Sequence, residues 1–298
     1  MSATESNWTK LASLGRALTG RQMAGRNLTV FDDDVYIVSY PRSGNTWTRF
    51  LIGNLISPDP VTFGNIESRI PEIYFNPDRV LRRLPRPRIL KSHECFQPRY
   101  KRVIYILRDP RDVAVSNYHH NLKAGNIPDG YTWDEFQPRF LKAEFDQPFG
   151  SWADHVASWI YLREHDPGFL LLRYEEMKKD SPGELLRIAR FLEQCSFRRL
   201  EFQPERLERA VELSSPERMR ELERQQAHNW VVTRNTRADK PFIRTATAGG
   251  WKSTLSPGAV EKIESAWGEF MVRMGYPLST AAGERGHREE PAATAKSV

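Results

Sequence analysis

The sequence predicts an α/β fold in three layers, with a central parallel sheet flanked by helices. Three observations predict it. Four short apolar runs recur along the chain (Val35–Val38, Arg88–His93, Val103–Leu107 and Phe169–Arg173), as buried parallel strands should read. Stretches with helix caps and helical apolar spacing alternate with them. Each run also ends in a polar, mostly basic junction, and in open parallel sheets ligands bind outside the carboxyl ends of the strands.

At 298 residues, 39% apolar and 11% aromatic, the chain is long enough for a sizeable core. No repeat and no linker interrupts residues 34–278, which read as one domain. Residues 1–33 form a polar lead-in. Residues 279–298 turn to Ala, Gly, Glu, Thr and Ser without apolar period and read as a disordered tail. The formal charge of +6 favours anionic partners, but the Lys and Arg residues are dispersed. Nucleic acid, anionic lipid and a multiply charged nucleotide all fit that balance. Nothing resembling a groove-reading or base-stacking motif supports nucleic acid. Two cysteines without ligand spacing argue against a disulfide framework or a metal site. The N-terminus lacks a continuous apolar segment and no later run is long enough to span a bilayer, so the reading is a cytoplasmic protein without a membrane anchor.

Taken in order, the first strand runs into a turn marked by Pro41, Ser43, Gly44 and Asn45. An apolar stripe then returns at Trp47, Phe50, Leu51 and Leu55, so a helix follows from Thr46. Strand, tight turn and helix aim free N–H groups and a helix dipole at an anion, with Arg42 beside them. This is not a Walker A loop, since no Lys follows Gly44. Residues 57–88 are rich in Pro and Arg and predict turns and short helices. Asp109 and Pro110 open a helix after the third strand; Arg111 and Asp112 read as a local ion pair of little weight. Residues 121–150 read as a long irregular loop, then 151–165 as a helix. Ser181-Pro182-Gly183-Glu184 reads as a capping box, Ser215-Pro216 and Ser256-Pro257 open further helices, and Gly275 with Pro277 stops the last.

The four junctions at Arg42–Thr46, Lys91–His93, Arg108–Asp112 and Tyr174–Glu176 would together hold several cations, one imidazole and one tyrosine. Such a set suits a polyanion carrying a ring.

YPRSGNTW resembles the 5′-phosphosulfate loop of the sulfotransferases that use 3′-phosphoadenosine 5′-phosphosulfate (PAPS), and RVIYILRDPRDVAVSNYHH resembles their 3′-phosphate strand and helix. The resemblance covers Val35 to Tyr276 and implies a P-loop-like fold. It implies that Arg42, Ser43, Gly44, Asn45, Thr46 and Trp47 bind the nucleotide, with Arg108 and Ser116 on the 3′-phosphate. KSHE is similar to the segment with the catalytic histidine, making His93 the base, while Lys91 and Arg42 stabilise the leaving phosphate. RYEEMKKD carries over Tyr174 at the adenine. SSPERM is similar to a base-contacting segment: Ser214 keeps its hydroxyl, but Pro216 replaces an aromatic. FIRTATAGGWKSTLS is similar to a C-terminal motif, usually R-K-G-x-x-G-x-W-K, that holds the 3′-phosphate. Arg244 is kept, whereas Thr245 and Ala246 replace Lys and Gly. Ser256-Pro257 likewise replaces the Thr-Val centre of the family's dimerisation motif, leaving the oligomeric state open.

What this implies is transfer of a sulfuryl group from PAPS to a hydroxyl or amine of a small, hydroxylated or phenolic acceptor, without a metal. Histidine titrates in the range such a base needs. Aromatic density suggests Phe96, Tyr118, Trp133, Phe136 and Trp152 as acceptor walls. A non-catalytic nucleotide binder on the same fold and a P-loop kinase are the alternatives.

Overall fold

The computed structural model describes residues 23–195 and 204–280; the expectations for most of the lead-in and the tail lie outside them. Four parallel strands form the sheet in the order β2-β1-β3-β4: β1 Val35–Ser39, β2 Ile89–Ser92, β3 Arg102–Leu107 and β4 Phe169–Arg173. Val35 pairs with Ile89 on one side and Arg102 on the other, and Val103 pairs with Phe169.

Helices α1 (Asn45–Ile56), α2 (Ile66–Arg69) and α3 (Asp78–Leu81) connect β1 to β2. Helices α4 (Pro110–Ala124), α5 (Trp133–Leu141) and α6 (Trp152–Arg163) connect β3 to β4. After β4 come α7 (Tyr174–Lys179), α8 (Ser181–Gln194), α9 (Pro204–Leu213), α10 (Pro216–Gln226), α11 (Trp251–Thr254) and α12 (Pro257–Arg273). Strand alternation sorts the two cores. Val35, Ile37, Ile104 and Ile106 pack with α1, α8 and α9, whereas Tyr36, Val38, Val103 and Tyr105 pack with α4, α6 and α12. No helix among the described residues is long and apolar enough to cross a membrane.

The expected caps form at Asp109, Ser215 and Ser256, each accepting a first-turn N–H ahead of a proline. Three readings are corrected. The cap of α8 is Asp180, which accepts from Gly183 N; Ser181 is already helical and its hydroxyl donates to Met177 O. Residues 121–150 are not one loop: α4 runs on to Ala124, and a Thr132–Glu135 capping box opens α5. Buried Phe136 and Phe140 hold α5 on the core, so Pro138 does not end it. Arg111 and Asp112 do not pair with each other. Arg111 is buried between Asp109 and Glu264, at 2.7 Å from each, while Asp112 accepts from the backbone of Gly249 and Trp251.

The chain leaves β1 toward β2 on one side of the sheet, then hops back to β3 on the other. The loops after β1 and β3 therefore lie side by side at a topological switch point, where a crevice opens. Arg108 Nη1 donates to Arg42 O across it at 3.1 Å.

Candidate active site

The turn after β1 is held from below. Asn45 Nδ2 donates to Ile37 O at 3.3 Å and to Ser39 Oγ at 3.2 Å. Two residues of the turn adopt positive φ, Arg42 at 69° and Gly44 at 101°. Only glycine fits the second position. A Cβ there would stand 2.5 Å from Cδ2 of Tyr174, so the backbone passes directly against that ring. Ser43 Oγ, Asn45 Oδ1 and Arg108 Nε are buried polar atoms with no hydrogen-bond partner among the described residues. Buried polar atoms are almost always paired, and the two of these on cavity-lining residues, Asn45 Oδ1 and Arg108 Nε, fit a polar ligand at the turn.

A cavity of about 310 Å³ opens over the carboxyl ends of the strands. From the turn and α1 it is lined by Arg42, Gly44, Asn45, Thr46 and Trp47. Lys91 reaches it from β2 and His93 from just past its end, Arg108 from just past β3 and Ser116 from α4, and Tyr174 from the start of α7. Arg244, Thr245 and Ala246 come from the far wall. The structure thus brings these predicted residues together around one space. Ser43 and Ser214 do not line it. The Ser214 reading is corrected: its hydroxyl is buried, donates to Ala210 O and accepts from Asn54 Nδ2. Its carbonyl instead accepts from Trp47 Nε1 at 3.0 Å and so fixes the Trp47 ring, which meets Tyr174 edge to face at 5.7 Å.

His93 is held on three sides. Its Nδ1 lies 2.7 Å from Ser39 O. A carbonyl only accepts, so Nδ1 carries the proton and Nε2 keeps its lone pair. Its backbone N–H donates to Tyr74 OH, and its carbonyl accepts from His155 Nε2. Burial first, then the charge of Lys91, pushes the His93 imidazole well below its ordinary range, so it is neutral. Lys91 Nζ is buried and 2.7 Å from Glu72 Oε2. Arg42 Nε donates to Ser116 Oγ at 3.3 Å, and Nη1 is 3.4 Å from His120 Nδ1. Arginine only donates, so that imidazole accepts; burial, Arg42, Lys91 and Lys123 lower it to about 3. Burial and then Arg108 lower the Arg42 guanidinium to about 10.

Residues 230–246 close the opposite wall with Trp230, Phe242 and Ile243. Their backbone is irregular and is held by distant side chains. Glu223 accepts from Phe242 N at 2.5 Å and Ile243 N at 2.9 Å. Arg220 donates to the carbonyls of Arg244 and Thr245, and Arg108 to that of Thr247. Ala246, standing where the resemblance has glycine, keeps a left-handed φ of 53°.

Sequence reasoning missed Glu72, Phe75, His120, Asp146 and Phe149, all of which line the cavity. His120 lay four residues after Ser116, one helical turn along the same face, and that spacing could have found it. The aromatic-wall expectation is corrected. None of Phe96, Tyr118, Trp133, Phe136 and Trp152 lines the cavity. Phe136 and Trp152 are fully buried in the core and the other three pack against it, because large apolar rings go where most water is excluded.

The family profile described as sulfotransferase domain matches residues 32–275. Mouse sulfotransferase 1B1 is 30% identical over 255 residues, covering 80% of this chain and 82% of that protein. Mouse sulfotransferase 2B1 is 31% identical over 261 residues, covering 84% and 74%. Among solved structures, mouse sulfotransferase SULT7A1 complexed with PAP superposes with a TM-score of 0.68 at 26% identity, covering 89% of this chain and 92% of that one. A retinol dehydratase in complex with androsterone and PAP shares the fold, with a TM-score of 0.69 at 21% identity.

Proposed function

This chain belongs to the sulfotransferase-domain family and is a PAPS-dependent enzyme, and from that premise we propose that His93 is its general base toward a small-molecule acceptor. The observation that carries the proposal is the protonation pattern of His93, with Nδ1–H spent on Ser39 O and Nε2 left to accept a proton in a cavity lined by Arg42, Lys91 and Arg108. PAPS supplies the sulfuryl group. Attack by the acceptor oxygen or nitrogen forms a bond to sulfur as its proton passes to His93 Nε2. The bond from sulfur to the 5′-phosphate breaks, and the charge left on that phosphate meets Arg42, Lys91 and the N–H groups of the turn. Arg108, Ser116 and Arg244 hold the 3′-phosphate, while Trp47 and Tyr174 border the adenine. Phe75 and Phe149 give the acceptor an apolar wall, the latter 5.7 Å from the His93 ring. That wall suits a hydroxylated or phenolic molecule.

The kinase alternative falls with the family assignment. The non-catalytic alternative is disfavoured because the strand-end residues Arg42, Lys91, His93 and Arg108 are all present, while the departures from the family motifs at the cavity, Pro216, Thr245 and Ala246, lie away from the strand ends. Residues 34–278 as one domain and a cytoplasmic location, in keeping with free Cys95 and Cys195, belong to the same proposal.

Replacing His93 by Ala tests it. Turnover with PAPS and a phenol panel should fall by roughly 10²–10⁴-fold, while calorimetric affinity for PAP stays within about twofold. Retained turnover would move the base elsewhere. The acid limb of kcat/KM in the unsubstituted enzyme should lie below pH 6.5, because protonation of His93 is what ends activity there and its environment resists that proton.

A further inference from the structure

Glu72 lies outside every strand and carries no motif, yet it reaches the cavity. It stands on the segment before Asn76 that runs beside β2 through a single parallel bridge to Lys91. Lys91 N donates to Pro71 O at 2.9 Å, and Ile73 N donates to Lys91 O at 3.2 Å, so backbone bonds grip the lysine on both sides. The carboxylate then takes the ammonium at 2.7 Å, with the two side chains 5% and 8% exposed.

The pair continues inward. Arg49, fully buried, places Nη1 4.0 Å from Glu72 Oε2 and donates from Nη2 to Glu67 Oε1 at 2.8 Å. Glu67 Oε1 also accepts from Trp230 Nε1 at 3.1 Å, and Trp230 lines the cavity from the far wall. A polar chain therefore runs from Trp230 through the partly exposed Glu67 to buried Arg49, and from there by a charge contact to Glu72 and the ammonium of Lys91.

We infer that Glu72 is a positioning residue: its carboxylate holds Lys91 charged and in place for the phosphate that leaves PAPS. The inference rests on the reading of Lys91 given above. An ammonium taken out of water needs an adjacent anion to stay protonated and a fixed partner to stay put. The charged groups facing Lys91 are Glu72 and Glu67 from the 66–73 segment and Arg49 from α1; the titratable imidazoles of His93 from its own strand end and His120 from α4 face it uncharged. Burial lowers the lysine, Glu72 is the first group to raise it again, and Arg49 opposes. Without Glu72 the lysine would face Arg49 with only the more distant Glu67 in support.

Glu72→Gln, Glu72→Asp and Lys91→Met test this. In Glu72→Gln, kcat should fall by about tenfold or more while KM for PAPS changes by less than about threefold. Its alkaline limb should move down by about one pH unit or more, because a less supported ammonium loses its proton earlier. Glu72→Asp keeps the charge and should restore the limb. In the Lys91→Met background, Glu72→Gln should cost little further, since the two act as one unit. A second readout needs no turnover: the ¹³Cε shift of Lys91, assigned by its loss in Lys91→Met, should titrate at lower pH in Glu72→Gln. An unmoved titration, or kcat losses that simply multiply in the double variant, overturns the inference. If Lys91→Met leaves kcat unchanged, the leaving-group reading fails instead, whatever the titration shows. If Glu72→Gln lowers only thermal stability, Glu72 is structural and the inference is wrong.

Discussion

The two walls of the cavity are built on different physical terms. On the strand-end wall, Arg42, Lys91, His93 and Arg108 project from the ends of β1, β2 and β3, whose relative heights are set by the sheet ladder. The far wall, residues 230–246, has no ladder. Its shape depends on side chains reaching from elsewhere: Glu223 and Arg220 from α10, and Lys123 from α4 to the carbonyls of Arg237 and Lys240, with Arg108 holding the adjoining Thr247 carbonyl. The residues proposed to carry the chemistry sit at the ends of this ladder. Thr245 and Ala246, which depart from the family pattern, lie on the wall held by side chains, where a changed contact shifts the loop without moving His93.

Three substitutions probe that difference, from the largest expected effect to the smallest. Gly44→Ala should damage the strand-end wall most. The left-handed φ alone costs about 1–2 kcal/mol, and the added methyl must displace the Tyr174 ring from 2.5 Å. Calorimetric affinity for PAP should fall by at least about tenfold. Unchanged affinity would mean the turn does not cradle the nucleotide. Glu223→Gln strips a charged acceptor from two backbone N–H groups of the far wall, a loss of roughly 1.5–3 kcal/mol. Amides from Trp230 to Ala246 should exchange faster and PAP should bind more weakly, with kcat at saturating PAPS nearly intact. A kcat loss as large as that of His93→Ala would show that the two walls are not separable. Ala246→Gly relieves a single strained residue and should add about 1 kcal/mol of stability, read as a rise in Tm of about 2–4 °C. A fall in Tm would mean that the methyl is packed rather than strained.

The same division governs what could be read in advance. The four strands and three of the helix starts were legible because each depends on a local pattern: an unbroken apolar run, or a Ser or Asp before Pro. The turn and its cations were legible for the same reason. Glu72, Asp146 and Phe149 were not, since each is brought to the cavity by a segment with no periodic signal of its own. Helix α5 was hidden by Pro138, whose local meaning was overridden by the burial of Phe136 and Phe140. Aromatic density pointed to acceptor walls and found core instead.

By itself, the sequence determined the parallel α/β sheet and the strand-turn-helix at Arg42–Thr46, because continuous apolar runs and local turn residues suffice for those, whereas His93 stood out only through the resemblance of its KSHE segment to a known family. Only the tertiary structure decided that His93 keeps Nε2 free, that Lys91 is tied to Glu72 and that Ser214 serves Trp47 through its carbonyl. Each of these rests on one hydrogen bond between residues 19 to 167 positions apart. A pattern of neighbours along the chain holds no record of such a bond, which exists only once the sheet has stacked its ends together.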